Sequence, residues 1–365
     1  MTYDLAIVGA GPGGCATAIT AAHKGASVLL LERGRYPRHR VCGEFVSAES
    51  LALLEDLLTT GERPLLHNAP RISLARVFAD GAVLGLELDP PAASISRYDL
   101  DLALWHSCLA AGVDARACCT VQSVEGEGPF AVSTTTEQFH AKAVVNAAGR
   151  WSFLTSPETR NRAVAERWIG VKRHFHESQP SATVDLYFFD GGYCGVQPVS
   201  VAGNGSGQIV NASAMVRADV ATDLKDVFEF HPALRRRSQD WEPVIEQVNT
   251  SPLVFHKPEP LLGCMLQVGD AATFVDPFIG DGISMALRSG ELAAECLDNF
   301  LRGASSLERA AAEYGELYSK RLAPVFRASS ILRRLLQFPA VVRGPAMSLL
   351  QHTPVITRQI VRMTR

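Results

Sequence analysis

Tyr3-Asp4-Leu5-Ala6-Ile7-Val8-Gly9-Ala10-Gly11-Pro12-Gly13-Gly14 opens the chain, and its reading decides the fold. Residues 3–8 are an apolar run with β character. The glycines follow at once, an alanine-rich helical stretch covers Cys15–Lys24, and a second β run, Ser27–Leu31, ends in Glu32. Strand, glycine turn, helix, strand and acid in that order form a Rossmann arrangement. Gly9 makes the turn, Gly11 lets the backbone approach a pyrophosphate, and Gly14 lets the helix pack close on the strand. The helix N-terminus offers free N–H groups and a positive dipole end to phosphates. Glu32, 18 residues beyond Gly14, is placed to accept ribose hydroxyls. An acid there, instead of an arginine, argues against the 2′-phosphate of NADP. NAD and FAD both stay open at this point.

The 365 residues are enough for two domains with well-buried cores. Net charge is −3, but residues 321–365 hold eight arginines and no acid, so residues 1–320 carry −11. Eight cysteines (15, 42, 108, 118, 119, 194, 264 and 296) contain no Cys-x-x-Cys pair. The first apolar run is interrupted by Asp4 and glycines, so no signal peptide is expected. The cysteines therefore read as reduced cytosolic thiols, and the chain as cytoplasmic, with a membrane-peripheral location open through its basic end.

Further along, Pro37-Arg38-His39-Arg40-Val41-Cys42-Gly43 is basic and irregular. Ser47 caps a helix to about Leu58. Arg71–Phe78 and Ala82–Leu88 flank the hairpin signal Asp80-Gly81. An amphipathic helix runs from Ser96-Arg97 to about Ala111, and Ala117–Glu125 with Phe130–Thr136 reads as a meander. Ala143–Asn146 is a short buried strand running into Ala147-Ala148-Gly149-Arg150. Residues 161–260 change texture: Trp168–Phe175, Thr183–Phe189 and Gln208–Val216 alternate as long strands of a mostly antiparallel sheet. His174 and His176 share one strand face without further ligands nearby, so a structural role is expected and no metal site. The chain then returns to a buried strand, Val268-Gly269-Asp270, followed by Pro277-Phe278-Ile279-Gly280-Asp281-Gly282-Ile283 and a long helix. Helical stretches are expected at 283–301, 306–336 and, more weakly, 345–362.

Three segments carry a family resemblance: Gly9–Gly14 with Glu32, Val145–Ser152, and Gly269–Ile283. The chain resembles the FAD-dependent superfamily of geranylgeranyl reductases, flavin-dependent halogenases and p-hydroxybenzoate-type hydroxylases. That resemblance decides for FAD over NAD, held non-covalently, with an external donor for which NAD(P)H is the candidate. It implies an α/β fold: a Rossmann-type FAD-binding domain from 1–70, 95–160 and 262–320. An inserted, mainly antiparallel substrate domain takes 71–94 and 161–261, and 321–365 forms a basic helical end. It further implies that Asp270, beside Gly269, meets the ribityl chain and that the helix from Gly282-Ile283 points at the flavin, with Pro277, Gly280 and Gly282 allowing close backbone approach. Reduced flavin carries negative charge that a helix N-terminus stabilises. Gly13, Arg33, Arg97, Val121 and Gly149 are also expected at the FAD.

Within the superfamily, Pro37-x-x-Arg40-x-Cys42-Gly43 is most similar to the geranylgeranyl reductase branch, where such a segment lies at the flavin. Cys42 there either donates a proton to a carbon receiving hydride or, the favoured reading, lines the pocket; a nearby Arg40 would favour its thiolate, which suits a nucleophile better than an acid. The halogenase motif Trp-x-Trp-x-Ile-Pro is absent, so halogenation is not expected, and the hydroxylases' Asp-Gly stands here as Ala148-Gly149, which weakens that assignment. The reductases' Tyr-x-Trp-x-Phe-Pro is kept at Tyr193 and Pro198 but not at the Trp and Phe positions, here Gly195 and Gln197. Tyr193, Gln197 and Pro198 are the expected substrate-pocket residues.

The expected activity is hydride transfer at flavin N5 with a hydrophobic substrate, isoprenoid, lipid or polyketide-like. A monooxygenase and a non-catalytic flavin partner protein are the alternatives. The arginine-rich end reads as packing on the acidic body, as a membrane-surface helix, or as a dock for an acidic carrier protein. Nucleic acid is not expected, since an acidic body would repel it.

Overall fold

Val28–Leu31 is buried at every position, as expected of a parallel strand covered on both faces. It belongs to the first of two sheets in the computed structural model, which describes residues 2–150, 154, 168–200, 208–250, 253, 255–274 and 280–327. Pro277 and the chain beyond Arg327 lie outside the described residues. In the first sheet Thr2–Val8 pairs in parallel with Val28–Leu31 on one side and with Gln138–Asn146 on the other. Asp114–Arg116 extends it in parallel beyond Val28–Leu31. The outer edge of Gln138–Asn146 is shared: Phe130–Ser133 pairs antiparallel near its start and Leu266–Gln267 in parallel at its end. The buried strand expected over 143–146 therefore begins earlier, at Gln138, because the polar residues that disguise it alternate outward.

The second sheet has the order 242–243, 168–176, 209–217, 192–198, 183–189, 71–79, 82–94, 45–46. All these pairings are antiparallel except Thr183–Tyr187 with Leu74–Phe78, which is parallel. Phe45–Val46 leaves the first sheet's part of the chain to pair with Ala93–Ser94. Period-two alternation gives the sheet two faces. Cys194 and Val196 join one core with Val210, Ala212 and Phe175, beneath the short helices Leu224–Glu229 and Pro232–Arg237. Tyr193, Gly195 and Gln197 face the opposite way, toward the first sheet.

Four longer helices among the described residues complete the body: Pro12–His23, Arg97–Ala110, Gly282–Leu301 and Leu307–Arg321. Ser96 caps the second of these, accepting from Asp99 N–H. Gly282–Leu301 lies across Pro12–His23 at very close range. The Thr17 hydroxyl is 2.9 Å from the Gly13 carbonyl and 3.0 Å from that of Gly290. No described helix is long and apolar enough to cross a membrane.

Candidate functional site

A cavity of about 620 Å³ runs between the two sheets, within the size range of cofactor and ligand sites. Sequence-distant segments meet in its wall. Gly9, Gly11 and Gly13 line it with Glu32 and Arg33, and Arg40, Cys42 and Gly43 follow. Arg97, Val121 and Gly149 also line it, as do Gly269, Asp270, Gly280, Gly282 and Ile283. From the second sheet come Tyr193 and Gln197. Two expected residues are not in the wall. Gly14 is packed inward, where an added Cβ would stand 1.9 Å from the Gly9 carbonyl, so it acts only through helix–strand packing. Pro198 alternates to the far side of its strand from Gln197, which removes it from the substrate pocket. Pro277 falls outside the described residues.

The glycine turn and its neighbours present bare backbone and cations to the cavity. A Cβ added at Gly11 would meet nothing within 4 Å, so the turn presents bare backbone to the cavity. Glu32, at the end of its strand, accepts from Ala10 N–H at 3.0 Å, Gly34 N–H at 2.8 Å and Arg38 at 2.7 Å. Burial would raise this carboxyl, but the Arg38 hydrogen bond and charge and the two backbone donors outweigh it and hold it at about 2. Arg97 is held rigid by a bidentate pair with Asp101 at 2.6 and 2.8 Å. Arg40 is different. Burial and the nearby charges of Arg38 and Arg97 push its pKa down, the electrostatics of a site that wants an anion. These residues fit an FAD diphosphate and ribose.

Cys42 also lines this cavity. Its thiol is pushed up: burial outweighs Arg97, the Glu44 N–H at 3.3 Å and Lys172. The expectation that Arg40 makes a thiolate is therefore corrected. Arg97 is the principal cation beside Cys42, and desolvation wins.

The far half is apolar. Leu86, Leu88, Ala75, Val77, Val184, Leu186 and Met215 line it from the second sheet, and Leu253 and Phe274 line it as well. Gly195 lies in the middle of this face, opposite Leu186 and Ser213 in register.

Sequence reasoning missed a buried ionic cluster. Glu44 has φ 63°, and its carboxylate takes Lys172 Nζ and the Arg97 N–H (2.8 Å) on one oxygen and His174 Nε2 (2.8 Å) on the other. All three side chains are wholly buried. No alternation marks it: Lys172 and His174 are buried, but so are Ile169, Val171 and Phe175 in the other phase of the strand, and His176 on the same face is exposed. Burial would raise Glu44, but the Lys172 charge and the His174 hydrogen bond hold it at about 2. His39, whose ring meets His174 edge-on at 5.4 Å, is lowered to about 4 by burial and then by Lys172 and His174.

All three shifts are depressions, so each contributes stability that is present above the unfolded pKa and lost as pH falls toward the folded one. His39 acts between its ordinary 6.5 and about 4. Glu32 and Glu44 act between 4.5 and about 2. For Glu32 alone the shift corresponds to about 3 kcal/mol. Thermal unfolding midpoints should therefore begin to fall below pH 6.5 and drop steeply below pH 4.5. A midpoint that stays level down to pH 3 would contradict this electrostatic account.

The family model for FAD dependent oxidoreductases matches residues 37–295, and a second model of that description matches residues 4–48. Digeranylgeranylglycerophospholipid reductase 2 of Methanopyrus kandleri is 27% identical, covering 92% of this chain and 88% of its own. A 1H-pyrrole-2-carbonyl-[peptidyl-carrier protein] brominase of Pseudoalteromonas luteoviolacea is 23% identical over 83% of this chain and 79% of its own. Among solved structures, the flavin-dependent brominase Bmp2 superposes with a TM-score of 0.80 at 20% identity, covering 100% of this chain and 93% of that one. With 259 residues matched by one model and the glycine turn by the other, the chain belongs to the FAD dependent oxidoreductase family.

Proposed function

We propose that the protein uses FAD to reduce a carbon of a hydrophobic substrate, isoprenoid, lipid or polyketide-like. The observation that carries this reading is that one cavity is lined by the glycine fingerprint, by Cys42 and by an apolar face of the second sheet. Bound FAD, reduced by an external donor for which NAD(P)H is the candidate, would supply the hydride. The chain's own part is to bind and orient. Glu32, Arg40 and Arg97 hold the cofactor end, and the apolar face seats the substrate and excludes water. A thiol raised by burial stays protonated at neutral pH, which suits Cys42 to give a proton to the carbon next to the one that receives hydride. A double bond thus gains two hydrogens, one as hydride and one as a proton from the thiol, which solvent then reprotonates.

The brominase relative supports a second reading, in which the same fold runs oxygen-dependent chemistry, as a monooxygenase or a halogenase. The product separates them. Reduced enzyme given digeranylgeranylglycerophospholipid without oxygen should yield product heavier by two hydrogens per double bond. Product that forms only with oxygen, carrying an added oxygen atom or a halogen, would overturn the reductase reading. Flavin-loaded protein that no nicotinamide, dithionite or protein donor can reduce would instead leave a non-catalytic flavoprotein. Under the reductase reading, Cys42→Ser should keep its FAD but lose about 10²-fold in kcat, the usual range for one positioned acid. An unchanged kcat would return Cys42 to a packing role. The basic segment 321–365, with its eight arginines, is proposed to dock either an anionic membrane surface or an acidic carrier protein that delivers the substrate.

A further inference from the structure

Glu44, Lys172 and His174 are 0% exposed, and no step proposed above uses them. Glu44 reaches the cavity wall, whereas Lys172 and His174 lie behind it on the second sheet. His174 is the direct cross-strand neighbour of Asn211, and Lys172 lies two residues away on the same face. Asn211 donates to the carbonyls of Cys42 at 3.0 Å and Gly43 at 2.9 Å. Glu44 ties the other end: its carboxylate accepts from both the sheet and the Arg97 N–H that begins a helix of the first domain.

We infer that Lys172 and His174, acting through Glu44, and Asn211, acting directly, form a tripod on the second sheet that fixes Cys42, Gly43 and Arg97 against the cavity. These are positioning residues. Three groups of unlike origin converge on one carboxylate, and that carboxylate belongs to a residue in the left-handed backbone region, which a glutamate adopts only when its surroundings impose it. Buried ion pairs seldom add stability over an apolar replacement of similar shape, so a gain in geometry is the better account of their presence. The tripod also explains how an inserted sheet can govern the loop over the cofactor without touching the cofactor itself. A substrate seated on that sheet would then be registered to Cys42 through a rigid link.

The test uses full-length, FAD-loaded protein in three forms: wild type, Lys172→Met, and Glu44→Gln with Lys172→Met together. Thermal unfolding is read beside the rate of Cys42 alkylation by iodoacetamide, followed on the Cys42 peptide by mass so that the other thiols do not interfere. Lys172→Met strands a buried carboxylate and should unfold at lower temperature. The double variant, with a neutral pair of similar size, should regain most of the midpoint yet alkylate Cys42 about tenfold faster than wild type, because the loop opens more often. The visible absorption of its flavin should shift as well. A double variant with wild-type alkylation would overturn the inference, since the cluster would then only pack. A double variant that regains no midpoint would overturn it too, since the cluster would then serve stability and not position. Only the absorption readout rests on the cavity being the FAD site. Wild-type protein that took up no FAD would sink that reading and leave the Cys42 comparison standing.

Discussion

Gly290→Val is expected to yield protein that unfolds at markedly lower temperature and carries no FAD. A Cβ at position 290 would lie 2.2 Å from the Gly13 carbonyl oxygen and 3.1 Å from the Ala16 Cβ. Neither neighbour is the free end of a flexible side chain, so the helices Pro12–His23 and Gly282–Leu301 would have to part. A second contact in the same seam is close, though less so, with a Cβ on Gly13 meeting the Ala286 carbonyl oxygen at 3.0 Å. Overpacking of this kind costs about 1–3 kcal/mol, and backbone against backbone belongs at the upper end. The loss reaches the cofactor because both helix starts, Gly11–Gly13 and Gly282–Ile283, line the cavity. Parting them by even an ångström separates the two halves of the FAD cradle. The ratio of flavin to protein absorbance after purification, with the unfolding midpoint, measures both effects. Gly85→Ala is the matching control, since its added Cβ would meet only a leucine methyl at 3.7 Å. A Gly290→Val protein with full flavin content and a midpoint within about 2 °C of wild type would refute the argument.

The sequence showed why those two helices meet but not how closely. Gly9–Gly14 was legible because turn, pyrophosphate approach and packing each demand glycine at fixed spacing, and Glu32 because it ends a buried strand. Gly290 was not legible: a lone glycine inside a long amphipathic helix acquires meaning only from the helix laid across it. Glu44 was hidden for a related reason. Its partners Lys172 and His174 come 128 and 130 residues later, and no local pattern joins them. Cys42 was read with the wrong sign because charge is visible in a sequence and desolvation is not. Arg40 stands two residues away in the chain, yet burial decides the thiol, and the first cation to oppose burial is Arg97. Pro198 failed on alternation alone, one residue out of phase with Gln197.

The apolar half of the cavity can be tested without disturbing the cofactor. Gly195→Trp should retain FAD and a near wild-type unfolding midpoint while losing turnover of long apolar substrates by about 10²-fold in kcat/KM, the scale of a displaced reacting carbon. The substitution is tolerable because Gly195 is in a regular strand whose added Cβ would meet the Leu186 Cδ2 at 3.3 Å, a flexible end that can move. Alternation then sends the indole into the cavity, since Tyr193 and Gln197 line it and the intervening Cys194 and Val196 belong to the opposite core. An indole there would cover the Leu186 and Ser213 positions on either side and fill the cavity over this face. Shorter substrates that stop before Gly195 should be turned over nearly as before, so the loss should grow with substrate length. That length dependence distinguishes a blocked slot from general damage, which would depress all substrates alike. If long and short substrates lost activity equally with FAD still bound, the apolar face would not be the substrate's seat.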